Sequence, residues 1–140
     1  MIFVLDTDHI TLYQQGHAAL ADRLAALPPG QLATSVITYE EQLEGRLAVV
    51  RRARTSAERV RAHYWLQRTL DFFCRMPILP FDEAAASEFD RLRKLGVRIG
   101  SQDLLIASIV LANHATLLTR NGNDFRRVPE LSFTDWSAPT

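Results

Sequence analysis

Four apolar residues, Ile2-Phe3-Val4-Leu5, run without alternation into Asp6. An unbroken run of this kind reads as a short strand covered on both faces, as in a parallel sheet. Such a sheet needs helices on both sides, which restricts the chain to an α/β architecture. It also puts Asp6 at the carboxyl edge of the sheet, where open α/β folds hold their ligands. No basic segment followed by an apolar one precedes the run, so no leader peptide is expected.

The remaining pattern alternates helix and strand. His9 to Gln15 is expected to be a short helix capped by Thr7 or Asp8 and stopped by Gly16. Ala18 to Leu27 is helical, and Pro28-Pro29-Gly30 ends it. Leu32-Ala33-Thr34 is a short strand, and Ser35 caps a helix carrying Val36, Tyr39, Leu43, Leu47 and Val50 on one face. Glu40 and Glu41 fall in its first turns, where carboxylates suit the positive helix end. A second long helix, from about Ala57 to Arg75, is expected to turn Val60, Tyr64, Leu66, Leu70 and Phe73 toward a packing partner. The two helices form a protruding αα-hairpin.

Pro77 to Pro80 is a short extended piece. Asp82 opens a helix with Ala85, Phe89, Leu92 and Leu95 inward, ended by Gly96. Ser101 is expected to cap the next helix, which runs to Asn113, is apolar nearly all round and is therefore central. Its one charge, Asp103, lies in the first turn. Ala115 to Thr119 is a buried strand followed by a polar turn, Arg120 to Asp124, and Leu131 to Phe133 is a last strand. The expectation is one domain over residues 1–140, with a small, mostly parallel central sheet flanked by helices.

Composition narrows the partners little, because the formal net charge is zero. The charge is uneven, however. Arg46 to Arg68 holds seven arginines against one acid, Glu58, a local +6. That segment reads as a solvated helix face or as a surface for nucleic acid or an acidic partner. Cys74 is the single cysteine and is read as a buried, inert thiol. His9, His17, His63 and His114 have no ligand spacing and are read as surface or packing residues, as Trp65 and Trp136 are read as packing. The longest apolar stretch, Leu104 to Ala112, is interrupted by Ser108 and is far short of the ~20 residues of a membrane span. A cytoplasmic protein is expected.

If the strands are parallel neighbours, Asp6, Glu41, Asp103 and the turn from Asn121 to Asp124 meet at one edge of the sheet. Gathered carboxylates repel one another and lose hydration unless a cation joins them. With oxygen donors only, that cation is hard, Mg²⁺ or Mn²⁺, and the chemistry that uses such sites is mainly phosphoryl transfer. Each residue also has a plainer role open to it: Asp6 as a helix cap, Glu41 and Asp103 as helix-end charges, Asp124 as a turn residue.

Four segments carry a resemblance. Leu5-Asp6-Thr7-Asp8, Ser35 to Glu41 with Gly45, Asp103 to Ala107, and Leu118 to Asn121 leading to Asp124-Phe125 stand in the order and spacing of PIN-domain ribonucleases. The chain most resembles the toxin half of VapBC toxin–antitoxin pairs, and Val128-Pro129-Glu130-Leu131 with Asp135-Trp136 is similar to that family too. The resemblance implies a PIN-like fold and a Mg²⁺- or Mn²⁺-dependent endoribonuclease with Asp6, Glu41 and Asp103 as metal-holding catalytic residues. Glu41 is preferred to Glu40 because it lies four before Gly45. The fourth acidic slot of the family is Asn121 here, with Asp124 three residues on, and both are carried as candidate catalytic residues. Asp8 stands where the family commonly has Asn. An RNA substrate, a VapB-like antitoxin and a homodimer are the implied partners.

Two other readings remain open on the sequence. One is a PIN-like binding module with a weakened site, motivated by Asn121. The other is a phosphatase using Asp6 as nucleophile and Asp8 as acid/base, since Asp6-Thr7-Asp8 after a buried strand looks like the opening motif of haloacid-dehalogenase enzymes.

Overall fold

The structure is a computed structural model that describes residues 1–138. Its centre is a five-stranded sheet in the order β3-β2-β1-β4-β5. The strands are β1 (Phe3–Leu5), β2 (Leu32–Ser35), β3 (Ile78–Leu79), β4 (Thr116–Leu118) and β5 (Ser132–Thr134). All four pairings are parallel, so the expected "mostly parallel" sheet is parallel throughout.

The helices are α1 (Thr7–Gln14), α2 (Ala18–Ala25), α3 (Val36–Arg52), α4 (Ser56–Arg75), α5 (Glu83–Lys94), α6 (Ser101–Ala112) and the short α7 (Gly122–Phe125). The period of two along a strand explains how both sheet faces are covered. Val4 and Leu117, side by side in register, face a core built with Leu92, Ile106 and Ile109. Leu5 and Leu118, one step on, face a second core with Ile10, Leu20 and Phe73. Neighbouring residues of one apolar run thus serve opposite layers, which is why the run shows no alternation.

The chain builds β1, β2 and β3 outward in one direction and then crosses back to add β4 on the other side of β1. The reversal beside β1 makes the carboxyl ends of β1 and β4 the edge at which open α/β sheets hold their ligands. Asp6 and Asn121 follow those two strand ends.

Several expectations need correction. The stripe of α4 that packs inward is Ala62, Leu66, Thr69 and Phe73, whereas Val60, Tyr64 and Leu70 are exposed. Both sets have helical spacing, and α4 packs on α3 and the sheet layer with the smaller-residue set. Cys74 is exposed, because Phe73 takes the inward position next to it. Leu95 is exposed at the end of α5, and Trp65 is exposed beside Arg46, whose guanidinium carbon lies 5.4 Å from the ring centroid. Gly100, not Ser101, is the N-cap of α6 and makes no side-chain cap bond. The segment Arg120 to Asp124 is not a plain turn, since Gly122 onward forms α7. Among the described residues no helix is long and apolar enough to cross a membrane.

Candidate active site

Asp6 is delivered by β1 and held by α1. Its backbone is extended (φ −83°, ψ 179°), and its Oδ1 accepts the His9 backbone N–H at 2.9 Å. Asp6 itself, rather than Thr7 or Asp8, is therefore the N-cap of α1. The plainer role and the functional one coincide, because capping engages one carboxylate oxygen. Only 7 % of Asp6 is exposed.

Glu41 reaches the same edge from α3. Ser35 ends β2 and caps α3, its Oγ accepting the Thr38 N–H at 3.1 Å. The helix therefore starts at the strand end, with Glu41 in its second turn. There the macrodipole has largely faded, so a helix-end role explains Glu41 poorly. Thr7 Oγ donates to Glu41 Oε1 at 3.0 Å and fixes α1 to α3. Glu40, its neighbour, is exposed.

Asp103 comes from the first turn of α6, and Asn121 joins it to Asp124. The Asn121 amide nitrogen donates to Asp103 Oδ2 at 3.2 Å and to Asp124 Oδ2 at 3.0 Å. Only the NH₂ end of an amide can donate to a carboxylate, so its orientation is determined. Asn121 is thus not simply an oxygen in the fourth acidic slot. It is a neutral bridge between two acids. Its own N–H donates to Thr119 Oγ at 2.9 Å, which ties it to the end of β4.

The electrostatics show that these groups share one field. Burial raises the Glu41 pKa above the ordinary carboxylate value, and the charges of Asp103, Asp6 and Asp8 add to the rise against the Thr7 hydrogen bond. Burial likewise raises Asp103, reinforced by Asp124, Asp6 and Asp8 and opposed by the Asn121 amide. Asp8 is exposed and contributes only charge from the rim. Hydrogen bonds join Asp103, Asn121 and Asp124 in one group and Thr7 with Glu41 in another, and charge alone links the two.

Among the described residues, no three His, Cys, Asp or Glu side chains are placed to grip a single ion together. The donor set still fits a hard dication. It is all oxygen, it carries unbalanced negative charge, and Mg²⁺ keeps several waters while taking only one or two protein carboxylates.

A raised carboxylate pKa favours the neutral form on folding. The stability it brings is present below the ordinary value and is lost as pH rises through the raised folded value. Glu41→Gln or Asp103→Asn should therefore raise the melting temperature of the cation-free protein at neutral pH by roughly a few degrees. The gain should vanish in acid, where the wild-type groups are already neutral. Thermal melts in chelator at pH 7 and below pH 4 test this, and an unchanged or lower melting temperature at pH 7 would show that the carboxylates do not repel.

Sequence reasoning missed two side chains at this site, Thr7 and His9. Thr7 lies next to Asp6 in the chain and carries the Glu41 contact. His9 is fully buried between the site and the carboxyl-terminal segment, at 3.4 Å from Asp6 Oδ1 through Nδ1. The signal for His9 was its place three residues after a capping Asp, from which a side chain reaches back to the cap.

This arrangement matches known proteins along nearly its whole length. Residues 3–131 match the PIN domain family. Ribonuclease VapC1 of Haemophilus influenzae (strain R2866) is 30% identical over 143 residues, spanning 98% of this chain and 99% of that protein. Among solved structures, VapBC-1 from nontypeable Haemophilus influenzae aligns with a TM-score of 0.72 at 30% identity over 99% of this chain and 100% of the other. VapBC2 from Rickettsia felis, bound to a DNA fragment from its promoter, aligns with a TM-score of 0.76 at 28% identity, over 97% and 99% of the two chains. With its five-stranded parallel sheet and the acids at the sheet's carboxyl edge, the chain belongs to the PIN domain family.

Proposed function

We propose that residues 1–140 act as a single PIN-like unit, a metal-dependent endoribonuclease that is the toxin of a toxin–antitoxin pair. The observation that carries this reading is the electrostatic coupling of Glu41 and Asp103 to Asp6, with the Glu41 and Asp103 pKa values raised by burial and by neighbouring acids. The names of the relatives, ribonucleases and VapBC complexes, point the same way.

In this reading Asp6, Glu41 and Asp103 hold Mg²⁺ or Mn²⁺, some of them through water. When bound, such an ion supplies Lewis acidity toward a phosphodiester and a nucleophile at neutral pH. The protein's own groups prepare the place. Thr7 fixes Glu41, the cap of α1 fixes Asp6, and Asn121 fixes Asp103 beside Asp124 without adding a further negative charge. The exposed Arg120 follows β4 at the same edge and can meet the RNA backbone.

An antitoxin of the VapB kind is the proposed protein partner. A cleft of about 600 Å³ between α1 and the α3–α4 hairpin mixes Arg46, Arg68 and Arg75 with Tyr13, Trp65 and Phe72. Aromatic and arginine side chains together are the composition of a protein-binding surface. The exposed Val60, Tyr64 and Leu70 of α4 are the apolar surface for a homodimer. The test is RNA cleavage by the purified toxin with Mg²⁺ and with chelator, alongside Asp103→Asn. Cleavage only by the wild type with Mg²⁺ supports the reading, and equal cleavage by the variant points to another site or a contaminant.

A further inference from the structure

His9 is fully buried, next to Asp6. It occupies the third position of α1, and its two ring nitrogens face different parts of the chain. Nε2 accepts the backbone N–H of Trp136 at 3.3 Å, just beyond β5. Nδ1 lies 3.4 Å from Asp6 Oδ1, outside good hydrogen-bond geometry, and has no other partner.

The Trp136 contact bears on where the proton of the neutral ring sits. A ring nitrogen that accepts an N–H cannot itself carry a hydrogen, so Nε2 is bare and the proton of the neutral ring is on Nδ1. Nδ1–H then faces the carboxylate of Asp6. A buried donor left unmade is costly, and hydrogen bonds at catalytic groups are often long in the free enzyme and tighten in the working complex.

The carboxyl-terminal segment is itself held in place for this task. Trp136 packs on Phe3 of β1, with ring centroids 4.7 Å apart. Asp135 Oδ1 lies 3.5 Å from His9 Nε2 and accepts hydrogen bonds from both the backbone N–H and the hydroxyl of Ser137. Partial burial alone would raise the Asp135 pKa, but the Ser137 donors, with Arg120 nearby, hold it below the usual carboxylate value.

We propose that His9 is a positioning residue for Asp6: its Nδ1–H tautomer, set by the Trp136 backbone N–H, holds Oδ1 and leaves Oδ2 for the cation. The contact rests on the nuclease reading for its purpose, since it orients a proposed ligand, but the tautomer stands on the geometry alone. It also makes residues 135–137, far from Asp6 in sequence, part of the support of the site. A histidine that steadies a metal-holding carboxylate is the counterpart of the outer partners that orient metal ligands elsewhere, whose loss weakens metal binding by about 10–100-fold.

The experiment has two arms. Nitrogen-15 NMR of the imidazole in the metal-free wild type reads the tautomer, and calorimetric Mn²⁺ titration compares wild type with His9→Asn and His9→Gln. Asn places an amide nitrogen near the position of Nδ1, and Gln places one near that of Nε2. The expected results are protonated Nδ1, Mn²⁺ affinity near wild type in His9→Asn, and a loss of roughly 10–100-fold in His9→Gln. A mere packing role would not split the two variants in that direction. Protonated Nε2 in the wild type, or equal losses in both variants, would overturn the proposal. Should the wild type take up no Mn²⁺, it is the metal reading that fails, and the tautomer alone then decides the His9 contact.

Discussion

Asp6→Asn should lower the rate of Mg²⁺-dependent RNA cleavage by roughly 10²–10³-fold or more while leaving the fold as stable as before. In the proposed reading the loss follows from removing a negative charge that would balance the cation; deletion of one preorganised electrostatic group at an active site costs about that much. The retained stability follows from the second role of Asp6. Its Oδ1 caps α1 through the His9 N–H, and Asn caps a helix about as well as Asp. Asp6→Ala, by contrast, should lose the activity and also about 1 kcal/mol of stability with the cap. Cleavage rates and urea melts on the three proteins separate the two roles. Activity in Asp6→Asn near that of the wild type would remove Asp6 from the site, whatever its cap does.

The largest effect on stability is expected from Phe125→Ala. Phe125 closes α7 at 1 % exposure and belongs to the core on the α5–α6 side of the sheet. Emptying a buried phenyl position costs about 3–5 kcal/mol, against a total of about 5–15 kcal/mol for a typical domain. Asp124 lies in the same short helix and Asn121 is its N-cap, so the bridge to Asp103 should loosen as well. Urea denaturation gives the first effect. The second should appear as lower cleavage under conditions where the variant is still folded, and a loss below about 1 kcal/mol would mean that α7 can collapse onto the space.

What could be read from the residues divides along physical lines. The strand before Asp6, the Ser35 cap and the buried α6 were legible because each is a local pattern with one structural solution. The placing of Asp6 and Glu41 at one edge was legible because parallel strands put their strand-to-helix junctions there, whereas Asp103 opens α6, which follows α5 rather than a strand. The face of α4 was not, since two stripes of helical spacing compete there and only packing against α3 chooses between them. Cys74 followed the same error by one position. The orientation of Asn121 and the contacts of Thr7 and His9 depend on neighbours brought in from elsewhere, so no local pattern could give them. Trp136 was expected to pack, and it does, but its backbone N–H reaches His9 only because β5 sits beside β4.

The place of β1 in the sheet has a bearing on how such a protein is made. Phe3 pairs with Leu32 on one side but with Thr116 on the other. A growing chain can join the first pair early, whereas the second must wait until Thr116 has left the ribosome. Non-local pairing of this sort is slow to form. Asp6 and Asp103 therefore reach their final setting only after β4 has emerged, so a chain halted before Thr116 carries both acids without the sheet edge that sets them.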